Sequence, residues 1–158
     1  MWCSSRCVSL FLIIAAFVAA SCSTPRPDKA APCVPAGQTQ LVIRWGTEHD
    51  SLGTVEQFTM NTKGEIFSFS GKIVDRADGS YRLAIDQSKY CGLAKDVTDC
   101  FLRTQALNVR GKRARFIEYR NVQSDVYLRA VWNPDLMTFQ SRDMRELYDQ
   151  LMAQIPLD

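Results

Sequence analysis

Residues 41–158 are expected to fold as a single α+β domain, an antiparallel sheet with elements in the order ββββ-α-ββ-α and two helices packed on one face. Three observations lead there. Four short segments with period-two hydrophobicity follow one another, separated by turn residues. The period then lengthens to that of a helix across residues 86–107. Two more alternating segments and a second amphipathic stripe complete the chain. Short sequential strands favour an antiparallel meander, and helices grouped against such a sheet define the class.

In the first segment Leu41, Ile43 and Trp45 alternate with Val42 and Arg44, and 46–53, bounded by Gly46 and Gly53, is expected to be a loop carrying His49. A second strand is expected over 54–60, with Phe58 and Met60 on one face. Asn61-Thr62-Lys63-Gly64 is a turn signal in which Gly64 can supply positive φ. β character resumes over 65–74 through Ile66, Phe67, Phe69, Ile73 and Val74, with a bend at Gly71. After Ala77-Asp78-Gly79, Tyr81, Leu83 and Ile85 alternate in a fourth strand.

Leu93, Val97, Cys100, Phe101 and Thr104 recur at helical spacing, with Asp86 or Ser88 as the cap and 108–112 as the exit. Strands over 113–121 and 125–132 are joined by Asn121-Val122-Gln123-Ser124. In the second of them Val126, Leu128, Ala130 and Trp132 face one way, and Tyr127, Arg129 and Val131 the other. Asn133-Pro134-Asp135 breaks it. Ser141 is expected to cap a last helix with the stripe Met144, Leu147, Tyr148, Leu151 and Ile155, which Pro156 stops.

The N-terminus reads differently. Arg6 is the only charge in residues 1–22, and the apolar run from Val8 to Ala20 is shorter than the roughly 20 residues a membrane span needs. A positive start, a short apolar run and a small-residue exit predict a secretory signal peptide over 1–21. Ala19-Ala20-Ser21-Cys22 resembles the lipobox of bacterial lipoproteins, departing from it at Ala19, where an aliphatic residue is commoner. Ala19 and Ser21 also suit ordinary signal peptidase. The resemblance implies that Cys22 carries acyl chains such as palmitate and becomes the new N-terminus, held at a membrane surface. Ser23 in place of Asp implies the outer membrane in a Gram-negative cell. Residues 22–40, with four prolines among small polar residues, predict an extended tether.

With 19 basic and 17 acidic side chains, the chain has a net charge of +2, one unit less once Arg6 is removed. Export and this weak charge disfavour nucleic acid as a partner. Cys3 and Cys7 leave with the signal, so Cys22, Cys33, Cys91 and Cys100 remain. With Cys22 acylated, one disulfide and one odd thiol result; with Cys22 free, two disulfides are possible. An unbroken helix would separate Cys91 and Cys100 by about 13 Å on opposite sides, beyond the ~7 Å Cα limit of a disulfide. A non-helical start at Gly92 would relax that. Cys33 is the expected partner of one of them, stapling the tether to the helix, and Cys100 lies on the apolar face as a buried thiol or core disulfide.

Three candidate sites arise. His49, between Glu48 and Asp50, could be a base or metal ligand, but it is the only histidine and a solvated loop residue is the simpler reading. Cys91, at a helix start, could act as a nucleophile with His49 as its base. Lys112, Arg113, Arg115, Arg120 and Arg129, interleaved with Tyr119, Tyr127 and Trp132, form the most suggestive cluster. Arg115, Tyr119, Tyr127 and Arg129 are expected to share one hairpin face able to hold a carboxylate, phosphate or sugar. No Gly-rich phosphate loop, GxSxG, HExxH or EF-hand pattern is present, and no metal or other cofactor is expected.

The sequence therefore favours a membrane-anchored lipoprotein whose domain is a non-catalytic binding module for an envelope protein or glycan. A cysteine-dependent envelope enzyme using Cys91 and His49, or a purely structural envelope component, are the alternatives.

Overall fold

The computed structural model describes residues 41–104 and 106–156, all within one compact unit, Pro32–Asp158. The expected signal peptide, Cys22, the tether and Cys33 lie outside the described residues. The described chain has the expected class. Strands β1 (Leu41–His49), β2 (Thr54–Met60), β3 (Glu65–Lys72), β4 (Ser80–Ala84), β5 (Arg113–Asn121) and β6 (Val126–Trp132) form one antiparallel sheet, ordered β4-β3-β2-β1-β5-β6. Helices α1 (Gln87–Arg103) and α2 (Arg142–Met152) complete it.

Both helices cover the same face. Leu41, Ile43 and Trp45 of β1, Met60 of β2, Ile117 of β5 and Trp132 of β6 form the main core with Tyr90, Leu93 and Val97 of α1 and Met144, Leu147 and Leu151 of α2. The Trp132 and Tyr148 rings meet edge-to-face at 5.7 Å, and the Arg115 guanidinium stacks on the Tyr148 ring at 4.6 Å. A smaller core of Val55, Ala114, Phe116 and Val131 lies on the opposite, helix-free face.

Local signals account for the boundaries. The β2–β3 turn closes through Gly64 at φ 75°, with Asn61 Oδ1 accepting from Lys63 N at 2.9 Å and Glu65 N at 3.1 Å. Asp86 caps α1 by accepting from Lys89 N at 2.9 Å, as expected of an Asp cap. Ser141 stands at the α2 cap position, but its hydroxyl instead donates to the Thr138 carbonyl at 3.1 Å.

Three boundaries differ from expectation. The stretch 46–49 is not a loop: β1 runs through Gly46 to His49, paired with β2 on one side and β5 on the other. β3 stops at Lys72, and Ile73–Asp75 form a 3-10 turn whose Ile73 N donates to Gly53 O at 2.9 Å. Finally, α1 ends at Arg103, not near 107. Leu107 is buried all the same, because the following chain is extended and brackets Val131, Leu107 O accepting from Val131 N and Val109 N donating to Val131 O, both at 2.9 Å.

Tyr90 yields a pH prediction. It is fully buried, and its hydroxyl has no hydrogen-bond partner among the described residues. Burial, reinforced by nearby Tyr119, pushes its pKa from 10.0 up to about 12. The unfolded chain therefore releases this proton before the folded one does. Stability is complete below pH 10 and falls as pH rises from 10 towards 12, by up to about 2–3 kcal/mol. Tyr90→Phe removes both the titration and an unpaired buried hydroxyl. Its stability at pH 7 should be equal or up to about 1 kcal/mol higher, and its alkaline decline shallower. Urea unfolding at pH 7 and 11 checks this; an unchanged alkaline decline contradicts it.

Candidate functional site

The helix-free face is built on two buried carboxylates. Alternation along β1 and β5 turns Glu48 and Glu118 away from the helices, and both lie under enclosing side chains, 2% and 4% exposed. Buried carboxylates need charge partners, and arginines supply them. Arg129, opposite Glu118 across β5 and β6, places Nη2 at 2.5 Å from Glu48 Oε1 and Nε at 3.0 Å from Glu118 Oε1, the second contact lacking hydrogen-bond geometry. Arg76, from the chain after the 3-10 turn, places Nη1 at 3.5 Å from Glu48 and 3.2 Å from Glu118. Arg110 reaches Glu48 Oε2 at 3.3 Å from the rim.

The lattice is fixed from below and beside. Arg76 and Arg129 stack on the Phe116 ring at 4.5 and 5.4 Å from its centroid. Arg76 Nε donates to the side-chain carbonyl of buried Gln57, which in turn donates to Ala77 O at 2.7 Å. Arg44 reaches over to Asp78 at 2.7 Å. The segment 76–78 is thereby drawn onto the sheet.

Beside this lattice lies a groove of about 430 Å³, at the β5–β6 hairpin, lined by Arg44, Arg76, Arg120, Tyr127, Glu118 and Asp125 among others. The volume falls within the roughly 300–1,000 Å³ of small-molecule sites. Arg120 is exposed and has no ion-pair partner among the described residues. The Arg44–Asp78 pair is open to solvent on the Asp78 side, whose side chain is 70% exposed, so its net strength is small. Burial, then the Glu118 charge, push the Tyr127 hydroxyl above its usual pKa. The hairpin tip is shaped by Asn121 Oδ1, which accepts from Gln123 N at 3.1 Å and Ser124 N at 3.3 Å, and by Asp125 at φ 52°.

The expected patch of four is divided between two faces. Arg115 and Tyr119 face the helices, Arg115 on Tyr148 and Asp149, Tyr119 against the main core. Tyr127 and Arg129 face the groove side. Four residues separate the paired Asn121 and Val126, so residues of opposite parity meet across the hairpin and an odd-with-odd grouping splits. Arg120 and Arg129 belong to the same face as Tyr127.

The Cys91–His49 pair is not assembled. Cys91 is disulfide-bonded, and among the described residues Cys100 is the free, buried thiol. Its α1 start adjoins the β2–β3 turn through Ile85 N and Gly64 O at 3.0 Å, whereas His49 pairs with Thr54 at the other end of β2. Glu48 points away from His49 into the ion lattice. Among the described residues no group of three or more His, Cys, Asp or Glu side chains is placed to hold a metal ion. Burial raises the Cys100 thiol pKa, and its sulfur sits 3.7 Å from Met144 Sδ, a core position.

Sequence reasoning missed Glu48, Arg44 and Arg76. Glu48 was hidden by reading 46–53 as a loop, and Arg76 lies in a segment without periodicity. No protein-family model matches the chain, and no curated protein matches it.

Proposed function

We propose that the chain is an exported lipoprotein, held by acyl chains on Cys22 at a bacterial envelope membrane, the outer membrane in a Gram-negative cell. Its folded domain is a non-catalytic module that binds an envelope glycan or protein at the groove of Arg44, Arg76, Arg120 and Tyr127. The observation that carries this reading is the groove itself. One of its guanidinium groups, that of Arg76, stands on the buried Glu48–Glu118 lattice, which fixes its position before any ligand arrives and lowers the ordering cost of binding there. The signal-like N-terminus and the Pro-rich 22–40 stretch support the anchor.

A bonded Cys91 agrees with an oxidising compartment and takes the nucleophile away from the enzyme alternative. With Cys3 and Cys7 removed and Cys22 acylated, Cys33 is the partner we assign to Cys91, tying the tether to α1. The test is photo-crosslinking in the native envelope from a probe at Arg120, compared with one at Lys95, whose side chain is 73% exposed on α1. A discrete adduct is expected from position 120 alone, in the membrane fraction, and Cys22→Ser should move the protein out of that fraction.

A further inference from the structure

We infer that the groove recognises an oxyanion, a phosphate or carboxylate group, carried on a sugar ring that lies against Tyr127. This rests on the binding-module reading and names the ligand chemistry of the same site. Arg44, Arg76 and Arg120 converge on one cavity from β1, the 76–78 segment and β5. Within the lining Glu118 and Asp125 oppose them; Glu118 is already engaged by Arg76 and Arg129, and Asp78, outside the lining, pairs with Arg44 at 2.7 Å, which leaves Arg120 as the uncompensated charge. The lining is therefore positive where a ligand would enter.

The guanidinium groups also hold unused donor capacity. Arg120 has no acceptor among the described residues, and Arg44 Nε and Arg76 Nη2 are enclosed without a hydrogen-bond partner there. Guanidinium forks match the paired oxygens of phosphate and carboxylate, whereas a neutral hydroxyl offers them one weaker acceptor. Tyr127, 57% exposed at the groove wall, supplies a ring face for the apolar side of a sugar. Asp125 at the rim disfavours a densely charged polyanion and favours one isolated oxyanion per ring.

Three probes with one ring separate the possibilities: glucose 6-phosphate, glucuronate and glucose. Each is titrated by NMR into the purified full-length protein at constant ionic strength, with sodium chloride as the reference. Saturable shifts at Arg44, Arg76, Arg120 and Tyr127 are expected with one or both anionic sugars, at least tenfold tighter than with glucose. Arg120→Gln should weaken that binding at least tenfold while Arg142→Gln, on α2, leaves it unchanged. Binding of only one anionic sugar identifies the group as phosphate or carboxylate. Equal binding of glucose overturns the oxyanion assignment and leaves the binding module standing. Shifts reproduced by chloride, unaffected by Arg120→Gln, or absent with all three sugars also overturn it, and the crosslink from position 120 then decides the module reading separately.

Discussion

Replacing Arg129 with methionine lowers the unfolding free energy of the domain by about 3–5 kcal/mol, the cost of leaving buried carboxylates short of a counter-charge. Arg129 bridges Glu48 and Glu118, both almost fully enclosed, and no water-exposed route lets either carboxylate recover its hydration cheaply. Arg76 remains near both carboxylates, so the expected loss lies toward the lower end of that range. Arg110→Met is the internal contrast. Its side chain is 43% exposed and shares itself between Glu48 and Asp50, so solvent screens the interaction and the expected cost is under about 1 kcal/mol. Urea unfolding of the two variants checks the difference. Equal, small losses would show that the lattice contributes no more than a surface ion pair.

Gly46→Ala has the next largest expected effect, about 3 kcal/mol, at the upper end of ordinary overpacking costs. A Cβ at this position would stand 2.0 Å from Glu56 O and 2.8 Å from Gln57 Cα, both backbone atoms of β2. No rotamer change relieves that collision; the strands must part. Because Glu48 follows two residues later on the same face, the disturbance reaches the ion lattice as well as the β1–β2 pairing. Thermal unfolding should fall by roughly 10 °C for a domain of this size. A shift within 2 °C of the parent would contradict this account of Gly46.

The same glycine explains where the sequence was hard to read. Period-two hydrophobicity made at least part of every strand visible, and helical spacing made Leu93, Val97 and Cys100 of α1 and Met144, Leu147, Tyr148 and Leu151 of α2 visible as core. Gly46-Thr47-Glu48-His49 lacks apolar side chains, since Thr47 meets Tyr148 Oη at 3.4 Å and Glu48 meets arginines, so a central strand looked like a loop. The end of α1 was equally obscure, because Leu107 is buried from an extended segment at nearly helical spacing from Thr104.

The site was legible in part. Arg129 and Tyr127 were recognisable from an alternating strand with arginine and tyrosine on one side. Their partners depended on pairing parity, and in a hairpin a single-residue slip exchanges one face for the other. Arg115 and Tyr119 therefore belong to the helix side, and Arg120 to the groove. Arg44 and Arg76 meet the groove only through long-range folding of β1 and the 3-10 turn, which no local pattern encodes.

The helix-free face, with its arginine-lined groove, is the proposed working surface of a membrane-anchored binding domain. Photo-crosslinking from position 120 in the native envelope tests it most directly. A discrete adduct from Arg120, absent from Lys95 and retained in the membrane fraction, is the result this account predicts. Adducts from Lys95 with none from position 120 would place the working surface on the helix layer and contradict it.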